Sequence, residues 1–145
     1  MIEKILADEK VESGWIRARF DFDVLAISEK KTKEALEELM EKLDEDKRVK
    51  IYKKEFSDVR RVEKPLKDID VAHSMACEVE LIANSFENLI HIVLEYGPSS
   101  SEILAPNKVS MKVSEAQSIL NNVSMMMHQF AAAGLGGIVL VGKKE

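Results

Sequence analysis

The stretch from Ile16 to Ala26 constrains the fold most. Ile16, Ala18, Phe20, Phe22, Val24 and Ala26 alternate with Arg17, Arg19, Asp21 and Asp23. That period of two places one apolar and one charged face on a single extended strand, and a helix cannot satisfy it. A strand with one wet face belongs to an antiparallel sheet whose other face is covered by helices.

The neighbouring segments supply those helices. Ser28 can cap a helix over 29–45, whose apolar stripe is Ala35, Leu36, Leu39, Met40 and Leu43. Val49, Ile51, Tyr52 and Phe56 mark a second strand, crowded by Lys50, Lys53 and Lys54 as edge strands often are. Residues 57–72 are polar, contain Pro65 and read as a connection, with His73 solvated at its end. A third strand follows at 74–83, with Met75, Cys77, Val79 and Leu81 on one face. Asn84 and Glu87 pair as caps of a helix running to Tyr96, which Gly97-Pro98 ends. Glu102 to Ala105 reads as a short strand, and Val109, Met111 and Val113 alternate as another. Ser114 with Gln117 forms a capping box for a helix to Ala133. Gly134, Gly136 and Gly137 break it, and Ile138 to Val141 read as a closing strand. Residues 1–12 fit no single pattern.

The expected fold is therefore α+β: a ferredoxin-like split βαβ sandwich over residues 14–105, with helices on one face of the sheet. A further β-α-β unit over residues 108–142 extends it, the whole 145-residue chain forming one domain.

Composition excludes several classes. The single cysteine, Cys77, rules out a disulfide framework and a cysteine-based zinc site. Charges at residues 3, 4, 8, 9 and 10 do not suit a signal peptide. The longest run without Asp, Glu, Lys or Arg, Ala116 to Gly142, contains Asn121, Asn122, Ser124, His128 and Gln129, a poor membrane span. A cytoplasmic location without membrane contact is the expectation. The net charge of −5 is unevenly spread: residues 1–72 carry 36 of the 47 charged side chains. A second half so poor in charge supplies core, a partner surface, or both.

Four constellations bear on function. Gln117, Asn121, Ser124 and His128 form a polar stripe without Lys or Glu, with Met125 beside it, opposite Ala116, Ile119, Leu120, Val123, Met127 and Phe130, which read as core. An uncharged polar face suits burial against a second copy, another protein or a ligand. An adaptable methionine fits such a contact. Tyr96 and the loop Gly97-Pro98-Ser99-Ser100-Ser101 offer hydroxyls and backbone N–H groups for an anion, although a plain helix-to-strand turn is the simpler and preferred reading of the loop. Glu87, His91 and Glu95 share one helix side and could ligate a metal, but they are also that helix's only acidic or basic residues and so mark its wet side. Residues 47–67 hold nine Lys or Arg against three Asp or Glu. Lys50, Tyr52, Lys53, Lys54, Arg60 and Arg61 could bind nucleic acid by phosphate contact and stacking if Tyr52 is exposed.

The run Leu89-Ile90-His91-Ile92-Val93-Leu94-Glu95-Tyr96-Gly97-Pro98, then Glu102-Ile103-Leu104-Ala105-Pro106 and a final helix, resembles the C-terminal extension (WCX) of WYL-domain transcription regulators over residues 75–130. The resemblance implies a ferredoxin-like module that senses a ligand or assists oligomerisation. The function expected is thus a small non-catalytic, regulatory or sensing module. It self-associates, with a dimer favoured, binds a partner protein or small ligand, and needs no cofactor. A nucleic-acid-associated factor and a metal-dependent enzyme are the alternatives.

Overall fold

The computed structural model describes residues 1–134. Its elements are α1 (Lys4–Glu12), β1 (Ile16–Ala26), α2 (Glu29–Glu45), β2 (Val49–Phe56), β3 (Arg60–Leu66), β4 (Ile69–Ala83), α3 (Phe86–Tyr96), β5 (Ser100–Ala105) and α4 (Val113–Ala132). They fall into two compact units, one ending at Val109 and one beginning at Ser110.

The first unit is an antiparallel sheet in the order β2-β4-β1-β5, with β3 also paired to β4. With β2 and β3 taken together as one edge, this is the strand order of a split βαβ sandwich, so the α+β expectation holds. Alternation in β1 works as its sequence demands. Ile16, Ala18, Phe20 and Phe22 are buried together with Leu36, Met40 and Leu43 of α2, Leu89 and Ile92 of α3, and Cys77, Val79 and Leu81 of β4. Ser28 caps α2, its Oγ accepting from the Lys31 N–H at 3.1 Å. Buried Thr32 turns its hydroxyl onto the Ser28 carbonyl at 2.7 Å, which removes the cost of an unpaired polar group.

Several expectations are corrected. Residues 57–72 are not a plain connection: they contain β3 and the start of β4, whose register runs from Arg60↔Ser74 to Leu66↔Ile69. The hairpin extends past β1, whose pairing with β4 ends at Ala26↔His73. His73 is therefore a strand residue, and its Nδ1 is buried without a hydrogen-bond partner among the described residues. Residues 1–12 yield α1, which lies on the sheet face opposite α2 and α3, so helices do not keep to one face. Its Ala7 packs with Tyr52 and Ile82, flanked by Ile2, Val11 and Trp15.

Helix starts also move. Ser85, not Asn84, caps α3 by accepting from the Asn88 N–H at 3.1 Å, whereas Asn84 meets the Asn88 side chain. Gly97 ends that helix as expected, in the left-handed conformation (φ 61°) that a residue without Cβ adopts readily.

After β5, no strand spans 109–113. Lys112 takes the extended backbone of a cap, and its carbonyl accepts from the N–H groups of Glu115 and Ala116 at 3.0 and 3.1 Å. The Ser114–Gln117 capping box is accordingly replaced by a helix that starts before Ser114. The expected strand at Ile138 to Val141 lies outside the described residues.

Candidate functional site

On α4 the stripe Gln117, Asn121, Ser124, Met125 and His128 is exposed. The Gln117 Nε2 donates to the Asn121 Oδ1 at 3.3 Å, the i,i+4 pairing expected of neighbours on one helix face. The exposed arc is wider than the polar stripe. Leu120 is 63% exposed and Met125 60%, and Val113 and Met127 are exposed as well. Leu120 and Met127, expected in the core, are thus corrected to surface, whereas Ala116, Ile119, Val123 and Phe130 are half-buried. At 100° per residue, Met127, Leu120, Val113, Ser124, Gln117, His128, Asn121 and Met125 cover about 160° of the circumference. Glu115 is the helix's only Asp, Glu, Lys or Arg.

The serine loop does not form an anion cradle. Ser100 and Ser101 belong to β5, and the Ser99 N–H donates to the Asp21 carbonyl at 2.8 Å. The Ser99 hydroxyl donates to that same carbonyl, and the Ser100 hydroxyl donates to the Asp21 carboxylate at 2.5 Å. The Asp21 carboxylate occupies the Ser100 hydroxyl proton and repels a second anion. Ser101 instead lines an apolar groove of about 370 Å³ between α3 and β5, walled by Phe86, Ile90, Val93, Leu94 and Ile103.

Tyr96 acts structurally. Its hydroxyl donates to Asp46 at 2.9 Å within a cluster that joins the α2–β2 turn to the end of α3. Arg48 donates to both Asp46 oxygens at 2.9 and 2.6 Å and to both Glu95 oxygens at 2.9 and 2.7 Å. These charge-assisted bonds hold the Asp46 carboxyl far below the usual carboxylate range and also lower that of Glu95. Burial and the bond to Asp46 push the Tyr96 phenol up to about 12.

Glu87, His91 and Glu95 are not assembled for a metal: Glu95 is held by Arg48, and no group of three or more His, Cys, Asp or Glu suited to a metal ion occurs among the described residues. The basic segment divides likewise. Tyr52 is only 7% exposed, contrary to the stacking role considered for it. A register shift between Ile51 and Lys53 makes Tyr52 the extra residue of a bulge, and it packs on the α1 side of the sheet. Its hydroxyl donates to Glu80 at 2.6 Å, and Arg17 lies over its ring at 4.9 Å while pairing with Asp8 of α1 at 2.5 Å. Burial and the Glu80 bond push this phenol up to about 12 too. Lys53 is paired with Glu55 and Glu80, and Arg61 with Glu63. Lys50 and Lys54 are half-buried along the edge, and Arg60 is exposed on β3.

Sequence reasoning missed three features. The Asp46–Arg48–Glu95–Tyr96 cluster spans 50 residues and leaves no local pattern. The groove needs the pairing of β5 with β1, which no single segment reveals. The breadth of the α4 face was masked because Leu120 and Met127 carry an ordinary core signature.

No described helix is long and apolar enough to cross a membrane. No curated protein and no solved structure matches the chain. A family model does match, over residues 17–144, and by that match the chain belongs to the MJ0538 family.

Proposed function

We propose that this protein is a non-catalytic α+β module that works as a homodimer and holds a partner protein or small ligand, in a regulatory or sensing role. The observation that carries the reading is the exposed arc of α4: 160° of helix surface with methionine, leucine and neutral polar side chains and no charge along it. Soluble helix faces are ordinarily covered with Lys and Glu, as α2 is. A face that mixes large apolar and uncharged polar groups has the composition of an interface core.

A non-catalytic role is supported by how the ionisable groups are engaged. Asp46 and Glu95 have displaced ionisation chiefly because Arg48 donates to them, and Tyr96 and Tyr52 chiefly because burial and then a carboxylate partner raise them. Burial pushes the Cys77 thiol up, which makes it a poor nucleophile. The apolar α3–β5 groove suits a small hydrophobic ligand better than a charged one. The resemblance to ligand-sensing extensions of transcription regulators points the same way.

The test is to place a charge on the arc. Ser124→Glu, at its centre, is expected to convert the dimer to monomer in size-exclusion chromatography with light scattering, and Met125→Glu, nearer its rim, to weaken it. An unchanged dimer in both variants contradicts the assignment.

A further inference from the structure

We propose that α1 is a hinged flap that lifts off the sheet as one unit, turning at Gly14. It thereby gates access to Tyr52 and Ile82 while the sheet and the helices on its other face stay folded.

Helix α1 is held by its docking, since its own nine residues are too few for a helix stable in water. Its start lacks a side-chain cap, which Ser28 supplies to α2 and Ser85 to α3. The docking is itself slight. Ala7 is its one buried residue, against four in α2, and Ile5 and Leu6 are 67% and 45% exposed. Besides Ala7 the contact is made by half-buried Ile2, Val11 and Trp15. Far less apolar surface leaves water here than on the face covered by α2 and α3.

The polar ties lie at the surface. Asp8, its side chain 46% exposed, pairs with Arg17, and the equally exposed Met1 amino group pairs with Asp44 at 3.0 Å. Exposed ion pairs of this kind hold weakly. The Ile2 N–H donates to the Ile51 carbonyl at 2.9 Å, on an edge strand where water replaces it readily.

The surface beneath is satisfied without the helix. The Tyr52 hydroxyl donates to Glu80 of β4, and Arg17 of β1 lies over the Tyr52 ring, so both contacts are made within the sheet. Lifting α1 therefore uncovers the Tyr52 ring and Ile82 but leaves neither polar group unpaired. Ser13, Gly14 and Trp15 join α1 to β1. Gly14 has φ 111°, where a residue without Cβ changes conformation at low cost, as a hinge requires.

Backbone amide exchange of the full chain, read by NMR with and without sub-denaturing urea, tests the flap. The hydrogen-bonded amides from Ala7 to Ser13 are expected to share one protection level, below that of β1 and β4. That level is expected to be insensitive to urea, because lifting the flap exposes little surface. Ile92→Val, in the α3 core, is expected to lower the protection of β1 and β4 by roughly two- to tenfold and to leave that of α1 unchanged. Protection of α1 that equals that of the sheet, or falls with it in Ile92→Val, means that α1 leaves only on global unfolding and overturns the flap. Protection that declines residue by residue towards the first turn is fraying, and no protection in α1 means that it does not close. Either result overturns the proposal as well.

Discussion

Arg48 and Glu95, 47 residues apart in the chain, meet through two hydrogen bonds of 2.9 and 2.7 Å. The same guanidinium also holds Asp46, to which Tyr96 donates. One arginine thus ties the turn after α2 to the last turn of α3, and both helices cover the same sheet face. The energy is unevenly divided. Glu95 is 52% exposed and its pairing is weakened by water, whereas the Asp46 side chain is 11% exposed.

Removing the Arg48 side chain leaves a largely buried carboxylate with the residue-48 N–H and the Tyr96 hydroxyl as its remaining donors. Arg48→Ala is expected to lower stability by about 2 kcal/mol, from lost charge-assisted bonds. Glu95→Gln is expected to cost less than about 1 kcal/mol. Urea denaturation of the two variants measures the difference. Equal losses contradict this division of the cluster.

The same carboxylate sets an acid limb. Its folded-state ionisation lies below the unfolded value, so the folded protein binds fewer protons there than the unfolded chain does at low pH. Its stabilisation is complete above about pH 5 and is lost as pH falls through and below the ordinary carboxylate value of about 4. Unfolding free energies between pH 2 and pH 6 should fall less steeply in Asp46→Asn than in the parent. Parallel curves argue against Asp46 as a main contributor.

At the alkaline end the sign is reversed. The chain has two tyrosines, and both phenols are pushed up to about 12. A raised phenol favours the folded state fully below about pH 10, and this contribution declines as pH climbs from there towards 12. Absorbance at 295 nm should therefore stay flat through pH 10.5 in the native protein and rise with tyrosinate only near pH 12 or on unfolding. Half-titration near pH 10 means that the Tyr52–Glu80 and Tyr96–Asp46 bonds do not hold in solution.

What the sequence disclosed follows from how each element is stabilised. β1 is legible because burial of one face writes a period of two directly into the residues, and α2 because its apolar stripe has a helical period. β3 is not, since Arg60-Arg61-Val62-Glu63-Lys64-Pro65 buries little and is held by pairing with β4. Helix α1 is nine residues long with one buried residue, Ala7, and owes its place to Tyr52, Ile82 and the Arg17–Asp8 ion pair, contacts made outside its own segment. Tyr52 is hidden for a related reason: alternation from Val49 and Ile51 sends it to the opposite sheet face, and only the placement of α1 on that face buries it. On α4 the uncharged stripe stood out by its residue types, whereas the exposure of Leu120 and Met127 required the structure, because helical spacing assigns apolar residues to a face without saying whether that face is covered.

A native mass spectrum of the purified chain, taken across a tenfold range of micromolar concentrations, tests the central claim most directly. The account predicts a dominant species of twice the chain mass that Ser124→Glu reduces to the single chain. A single-chain mass at every concentration contradicts it.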